Sequence, residues 1–153
     1  MWNKIKPLLF LPLIFIVVSG FVYFIKGVEM QTNNNKVMSD IKIEIGGRKF
    51  AATLFDNATT QALKSRFPLK LDMVELNANE KYADLPVSLP AKASNPGIIK
   101  AGDIMLYGTS TLVIFYETFN TRYAYTKIGR IENTAGLKEA LGSGDVAVTF
   151  SMD

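Results

Sequence analysis

The residues that most often carry out catalysis are missing from this sequence. It contains no histidine and no cysteine. Their absence excludes a Ser-His-Asp triad, histidine acid–base catalysis, a cysteine nucleophile, disulfide bonds, and metal sites built from thiolates or imidazoles. The Asp and Glu residues lack the spacing of a metal cage or a carboxylate pair, and Gly46-Gly47 is not followed by the Lys-Ser/Thr pair of a phosphate loop. We therefore predict no catalytic residue, no metal site and no cofactor.

Aromatic residues are the strongest remaining candidates for a binding site. Alternate residues of Leu112–Glu117 face opposite ways, so one set belongs to the core. The other set, together with Tyr107, fits the wall of a groove for an apolar or peptide ligand, and nearby arginines fit the role of orienting a carboxylate. The predicted binding residues are Tyr82, Tyr107, Phe115, Arg122 and Arg130. Core or edge packing of the rings and ordinary surface charge for the arginines are the alternatives.

A β-hairpin is predicted at the centre of these candidates. Ile104–Tyr107 and Leu112–Glu117 are short apolar runs, and residues 108–111, Gly-Thr-Ser-Thr, separate them. Short β-rich runs bounded by Gly and Ser/Thr are typical of hairpins. The hairpin therefore becomes the element around which the other strands are placed.

Further strands are predicted from apolar residues that alternate with polar ones. Ile41, Ile43 and Ile45 alternate with charged residues, and Gly46-Gly47 then supplies a tight turn. Strands are also predicted at Arg48–Phe55, from Leu69 to about Leu76, and in the segments KIGRIE and DVAVTF. Residues 77–102 contain Pro86, Pro90 and Pro96 and are predicted to be irregular, either as a binding loop or as a solvated connector with short strand fragments.

Two short helices complete the predicted elements. Asp56 or Asn57 caps the first, whose apolar stripe is Ala58, Ala62, Leu63 and Phe67, and which ends at Pro68. Asn133 or Thr134 caps the second, and Gly142 ends it. No βαβ repeat is present, so we predict a mainly β protein with an antiparallel sheet of about eight strands closed into a barrel or sandwich.

The N-terminal segment has the length and composition of a membrane span. Residues 7–25 are 19 uncharged residues, which as a helix cover about 28 Å, close to the thickness of a bilayer core. We predict a signal-anchor at residues 1–26, a polar linker at 27–39 and a folded domain at 40–153. Cleavage near Ser19-Gly20, which would release a secreted protein, is the alternative.

Charge placement predicts the topology and excludes one class of partner. Lys4 and Lys6 precede the apolar segment, which favours a single-pass protein with its C-terminal domain outside the cytoplasm. From Lys36 to Asp153 there are 14 basic and 13 acidic side chains, a net charge of +1. A nearly neutral domain lacks the concentrated positive charge that nucleic-acid binding needs. The predicted partners are therefore the lipid bilayer, through residues 7–25, and a peptide or small molecule.

Residues 40–153 resemble the small bacterial cyclophilin-like domain proteins. The resemblance is carried, in this order, by the segments GGRKFAATLFDNATTQAL, DLP, GDIMLYG, LVIFYE and KIGRIE, and by the closing helix and strand. It implies a closed antiparallel β-barrel of about eight strands capped by helices. True cyclophilins isomerise X-Pro bonds with an Arg in a Phe-His-Arg motif and a nearby Gln-Gly-Gly segment, and this sequence has neither. Its only tryptophan, Trp2, lies in the predicted anchor, so the Trp of the drug-binding groove is missing as well.

Three hypotheses for function follow from these observations. The first is a membrane-tethered, extracytoplasmic module that binds a peptide or small ligand and lacks the usual catalytic residues. The second is a peptidyl-prolyl isomerase with a non-standard site that uses Arg66, Arg122 or Arg130. The third is a structural or partner-binding subunit of a membrane complex.

Overall fold

In the computed structural model, which describes residues 39–152, β-strands dominate the chain. Ten strands and two helices occur in this part of the sequence. The strands are β1 (Ser39–Ile45), β2 (Arg48–Leu54), β3 (Leu69–Leu76), β4 (Glu80–Asp84), β5 (Ile98–Ile99), β6 (Asp103–Tyr107), β7 (Thr111–Phe115), β8 (Phe119–Asn120), β9 (Tyr125–Ile131) and β10 (Val146–Met152). The helices are α1 (Ala58–Lys64) and α2 (Leu137–Leu141).

Eight of the strands described here close into an antiparallel barrel. Their order around the barrel is β1-β10-β3-β4-β7-β6-β9-β2, and β2 pairs with β1 to complete the circle. The short strands β5 and β8 pair with each other in a separate two-stranded sheet. The predicted fold class, a closed antiparallel barrel with about eight strands and two helices, is confirmed.

The interior of the barrel is filled by one face of each strand. In β1, Ile41, Ile43 and Ile45 are all buried, and Ile43 lies opposite Phe150 of β10. Because side chains alternate along a strand, Lys42 and Glu44 point outward, as the sequence pattern predicted. The same interior cluster takes up Leu63 from α1 and Leu137 and Leu141 from α2.

The central hairpin is confirmed, and both of its faces are apolar. Leu112 and Ile114 belong to the barrel interior. The alternate residues, Val113 and Phe115, belong to a second buried cluster on the outer face, which also includes Ile99, Met105 and Tyr125. Ile99 of β5 belongs to this cluster and Phe119 of β8 packs against it, so this part of the outer face is covered. Both faces of β7 are therefore buried, whereas Tyr107 at the end of β6 is 47% exposed.

The structure of residues 77–102 differs from the sequence-based prediction. This stretch was expected to be irregular, but it contains β4, which pairs with both β3 and β7 and is integral to the barrel. It also contains β5. The strand β4 was hidden because Glu80 and Lys81 are charged, although both are buried in the folded chain.

The helix caps are only partly as predicted. Asn57 caps α1, and its Oδ1 accepts a hydrogen bond from the Thr60 backbone N–H at 2.9 Å. Thr59, Thr60 and Leu63 are its buried residues, whereas Ala58 of the predicted stripe is exposed. The prediction of an Asn133 or Thr134 cap for α2 is wrong, because this helix begins after Gly136 without a side-chain cap. It ends at Gly142, as predicted.

No helix among residues 39–152 is long and apolar enough to cross a membrane. The predicted anchor at residues 1–26 lies outside the described residues, as does the linker as far as residue 38. Ser39, assigned to the linker, is the first residue of β1.

Candidate functional site

A groove of about 850 Å³ lies on the outer face of the barrel wall formed by β4, β7, β6 and β9. Its walls come from these strands, from the β3–β4 turn and from the segment that joins β8 to β9. The lining residues are Leu76, Asn77, Asn79, Glu80, Tyr82, Tyr107, Thr111, Val113, Phe119, Asn120, Thr121, Arg122, Tyr123 and Tyr125. A groove of this size lies within the range of known small-ligand pockets.

Aromatic rings form a continuous wall along the groove. The ring centroid of buried Phe115 lies 5.8 Å from that of Phe119 and 5.5 Å from that of Tyr125. Tyr125 lies 5.6 Å from Tyr107, which in turn lies 6.2 Å from Tyr123 in an edge-to-face arrangement. Such separations and tilts are the favourable geometries for aromatic pairs. The wall is therefore held in place by its own ring contacts.

Strand register explains why these rings meet. Tyr107 of β6 lies directly opposite Tyr125 of β9, and Tyr82 of β4 lies opposite Val113 of β7. Side chains of directly opposed residues lie on the same face of a sheet, close enough to touch. The pairing of these four strands thus brings residues from distant parts of the sequence onto one outer surface.

The rim is formed by a turn that carries Arg122 and Tyr123. The Thr121 N–H donates to the Gly97 carbonyl oxygen at 2.9 Å, which ties this segment to the loop before β5. The Tyr123 N–H donates to Thr121 Oγ1 at 3.1 Å and tightens the turn. Both side chains after Thr121 remain exposed while lining the groove.

Two oppositely charged side chains line the groove without neutralising each other. Glu80 is only 9% exposed, and within residues 39–152 its carboxylate has neither a hydrogen bond nor an ion pair. Burial raises the pKa of Glu80, and the negative charge of Glu75 raises it further. Arg122 is exposed and likewise has no ion pair with any residue of the described part.

Further polar groups give the groove directional contacts. Burial, followed by the charge of Glu80, raises the pKa of the Tyr125 phenol, so this hydroxyl keeps its proton at neutral pH. Asn79 Oδ1 is buried and has no hydrogen-bond donor among the residues that the structure describes. Buried polar atoms are normally paired, so Asn79 Oδ1 is an exception in the lining of this groove.

The chain was compared with known protein families, curated proteins and solved structures. The model of the cyclophilin-like family matches residues 43–151. This protein belongs to the cyclophilin-like family. No curated protein matches the sequence.

A solved structure agrees with this assignment at the level of the fold. The cyclophilin-like chain superposes on the solution structure of a hypothetical protein from Archaeoglobus fulgidus with a TM-score of 0.54. The two share 17% sequence identity, and the match covers 79% of this chain and 99% of the other. At this identity the likeness establishes a shared barrel and nothing about activity.

Three of the five predicted binding residues of the cyclophilin-like domain line the groove. These are Tyr82, Tyr107 and Arg122. Phe115 is fully buried beneath it and supports the wall through Phe119 and Tyr125. Arg130 lies elsewhere, in a separate cleft of about 160 Å³ that it shares with Lys100 and Lys127. The structure therefore does not bring Arg130 to the groove.

The sequence-based prediction missed Glu80 and the rim tyrosine Tyr123 as groove residues. Glu80 was assigned to an irregular stretch, and without a regular strand the direction of its side chain could not be predicted. Had β4 been recognised as a strand, the period of two would have placed Glu80 on the same face as Tyr82.

Among residues 39–152, no three acidic side chains are grouped so that they could hold a metal ion.

Proposed function

We propose that this protein is a membrane-tethered, extracytoplasmic binding module whose aromatic groove takes a peptide or a small organic ligand. The observation that carries the proposal is the continuous row of rings from Phe119 to Tyr123 along a groove of about 850 Å³. Exposed aromatic surface next to polar groups is typical of ligand sites, because rings contribute large apolar contact and the polar groups fix orientation.

The groove offers both kinds of contact. Tyr107 is 47% exposed and Tyr123 is 64% exposed, so much of their ring surface is free to pack against a ligand. Arg122, Asn79 and the Tyr125 hydroxyl are polar groups within the same lining. Tyrosine-rich surfaces of this type give contact area at a low cost in side-chain entropy.

The tether is proposed from the sequence alone. Residues 7–25 form an uncharged apolar run followed by a polar linker, and the domain begins at Ser39. A single-pass anchor would keep the domain attached to the membrane, outside the cytoplasm. Alkaline extraction of membranes tests this directly. The full chain should stay in the pellet, whereas a Val17→Lys, Phe21→Lys variant should be released because charges oppose insertion.

A prolyl isomerase with a non-standard site is the second candidate. Such an enzyme needs a guanidinium beside an apolar groove, and of Arg66, Arg122 and Arg130 in the described part, Arg122 alone lines it. Arg66 is exposed just beyond α1. The guanidinium of Arg122 would act by donating hydrogen bonds to a peptide carbonyl or to the prolyl nitrogen in the twisted transition state.

One nuclear magnetic resonance experiment tests both candidates. Isotope-labelled full chain in maltoside micelles is titrated with the peptide acetyl-Ala-Ala-Pro-Phe-amide. For a binding module we expect saturable shifts in β4, β6 and β9 resonances. For an isomerase we also expect exchange peaks between the cis and trans peptide, lost in Arg122→Ala and retained in Arg66→Ala. Saturable shifts confined to other surfaces would contradict the groove as the site.

A further inference from the structure

Glu80 is a charged group in an environment that does not neutralise it. Its side chain is 9% exposed and lines the groove, yet within residues 39–152 nothing donates a hydrogen bond to its carboxylate. Taking a carboxylate out of water without a partner is unfavourable, so buried acids are normally paired. An unpaired carboxylate in an accessible groove is therefore a candidate site for a positively charged group of a ligand.

The surroundings of Glu80 are aromatic. Glu80 lies opposite Phe115 in the β4–β7 pairing, and Tyr82 is the next residue on the same face of β4. Phe115 contacts Phe119 and Tyr125, so the row of rings starts beside the carboxylate. Ring faces carry partial negative charge and attract cations, most strongly where water is excluded.

Neither Lys81, the next residue in the chain, nor Arg122, which lines the same groove, neutralises the Glu80 carboxylate. Lys81 points into the barrel, where its ammonium is bound by the Glu75 carboxylate and by the carbonyl oxygens of Gly142 and Gly144. Arg122 lines the same groove, but within the described part no ion pair joins it to Glu80. One carboxylate with no second acid beside it in the lining is also too few ligands for a calcium or magnesium ion.

We propose that the groove binds ligands that carry a positively charged amine, with the amine seated between the Glu80 carboxylate and the aromatic wall. This inference rests on the groove being a ligand site and names the chemistry of what it takes. A basic side chain of a peptide and a free alkylammonium compound share this chemistry. The exposed Arg122 is then free to bind a negative group elsewhere on the same ligand.

A pair of probes that differ only in charge tests the inference. Choline is compared with its neutral isostere, in which carbon replaces the quaternary nitrogen. Each is titrated into isotope-labelled full chain in maltoside micelles at mildly alkaline pH, which favours the ionised form of Glu80. We expect choline to shift groove resonances with a Kd about tenfold below that of the isostere, the amount expected for a desolvated cation beside rings and a carboxylate.

Two matched variants locate the effect. Glu80→Gln removes the charge with almost no change in shape and should reduce the preference for choline to about threefold, the part that the rings alone supply. Asp84→Asn removes the same charge from the same face of β4, but Asp84 lies outside the groove lining, where it accepts a hydrogen bond from Thr111 Oγ1 at 2.6 Å. The Asp84 variant should keep the preference for choline.

The remaining outcomes separate this inference from the proposed function. Equal binding of both probes to the unmodified chain would overturn the cation preference and leave the groove as a ligand site. A tenfold preference for choline that is unchanged in Glu80→Gln would also overturn it, because the charge that selects the cation would not come from Glu80. Shifts confined to surfaces outside the groove would count against both proposals.

Discussion

Glu80 and Lys81 are adjacent in the chain, are both buried, and point to opposite faces of β4. Lys81 is fully buried inside the barrel, where Nζ donates hydrogen bonds to the carbonyl oxygens of Gly144 at 2.6 Å and Gly142 at 3.0 Å and forms an ion pair with Glu75. Glu80 faces the groove without a partner in the described part. The strand β4 therefore carries one charged residue, Lys81, that stabilises the fold, and another, Glu80, whose carboxylate is left without a partner in the groove.

Replacing Lys81 should destabilise the barrel strongly. Lys81→Met removes the cation that balances Glu75 and leaves two loop carbonyls, those of Gly142 and Gly144, without their donor. Breaking a buried, hydrogen-bonded ion pair from one side costs about 3 kcal/mol. Urea-induced unfolding of the full chain, followed by near-ultraviolet circular dichroism, measures this loss.

The matched control for Lys81 is Lys138, which forms an ion pair with Glu117 on the surface. Lys138→Met makes the same chemical change where both partners are exposed, and exposed pairs contribute little. Its unfolding midpoint should stay close to that of the unmodified chain. Equal losses in the two variants would mean that burial does not set the strength of the Lys81 interaction.

Glu80 should make the protein less stable as the pH rises. Burial, and then the charge of Glu75, raises the pKa of Glu80 above its ordinary value of 4.5. The other ionisable groups in the groove lining are the Arg122 guanidinium and the phenols of Tyr82, Tyr107, Tyr123 and Tyr125. The unfolded chain therefore loses this proton at lower pH than the folded chain, and stability falls from about pH 4.5 up to the folded pKa. Glu80→Gln should unfold at higher urea than the unmodified chain at neutral pH, with the difference disappearing in acid.

Glu75 should make the protein more stable as the pH rises, which is the opposite of the effect of Glu80. The two contributions can therefore be distinguished in a profile of stability against pH. Burial raises the pKa of Glu75, but hydrogen bonds from Lys81 and Tyr116 outweigh it, so the net pKa is lowered. The stability that Glu75 contributes is present above pH 4.5 and is lost as the pH falls through its folded pKa. Glu75→Gln should therefore flatten the acid side of the stability profile. It should keep only the part of the neutral decline that burial of Glu80 causes, because the charge of Glu75 also raises the pKa of Glu80.

Asn57 should stabilise the domain through both ends of its amide. Its Oδ1 accepts from the Thr60 N–H, and its Nδ2 donates to the Lys127 carbonyl oxygen in β9, each at 2.9 Å. Removing a helix cap costs about 1–2 kcal/mol, so Asn57→Ala should lower the free energy of unfolding by about this amount. Asn133→Ala is the control, because its side chain accepts only from Ala135 in an exposed turn and caps no helix. A similar loss in both would contradict a specific role for the cap.

How far the sequence predicts this fold depends on whether polarity and burial agree. The isoleucines of β1 and the two hairpin strands follow the period of two, and they were placed correctly because apolar side chains there are buried. In β4 the agreement fails, since Lys81 is buried through an ion pair made with Glu75, six positions away, and through loop carbonyls more than sixty positions away. No local pattern records such partners.

The sequence also predicts only part of the candidate site. Tyr82 and Tyr107 were chosen from composition and hairpin geometry, and both line the groove. Arg122 lies in the segment before β9, but placing Arg130 outside the groove requires the β6–β9 register, which has an irregularity at Ile104–Met105. Because one residue of slip reverses the face of every side chain in a strand, the destination of Arg130 depends on a feature that the sequence does not mark.

Gly129 should not tolerate a side chain. An added Cβ would lie 2.5 Å from the Thr53 carbonyl oxygen and 3.0 Å from Leu54 Cδ2, where β9 pairs with β2. Backbone atoms of a paired strand cannot move aside without breaking the sheet, so Gly129→Ala should cost about 2 kcal/mol or more. At Gly144 nothing lies within 4 Å of an added Cβ, and Gly144→Ala keeps the carbonyl that Lys81 uses. Thermal unfolding of both variants should therefore show a large drop in Tm for Gly129→Ala alone.

Tyr123 should contribute to ligand binding without contributing to stability. Its ring is 64% exposed at the rim of the groove and packs edge-on against Tyr107, with 6.2 Å between ring centroids. An aromatic contact at the rim is worth about 0.5–1.5 kcal/mol, or roughly a threefold to tenfold change in Kd. Tyr123→Leu should therefore weaken binding of the peptide acetyl-Ala-Ala-Pro-Phe-amide by that factor, while Tyr123→Phe keeps the ring and should bind the peptide as the unmodified chain does. Because the side chain is exposed, both variants should unfold at the same urea concentration as the unmodified chain. If the leucine and phenylalanine variants lost affinity equally, the contact would come from the hydroxyl group and not from the ring.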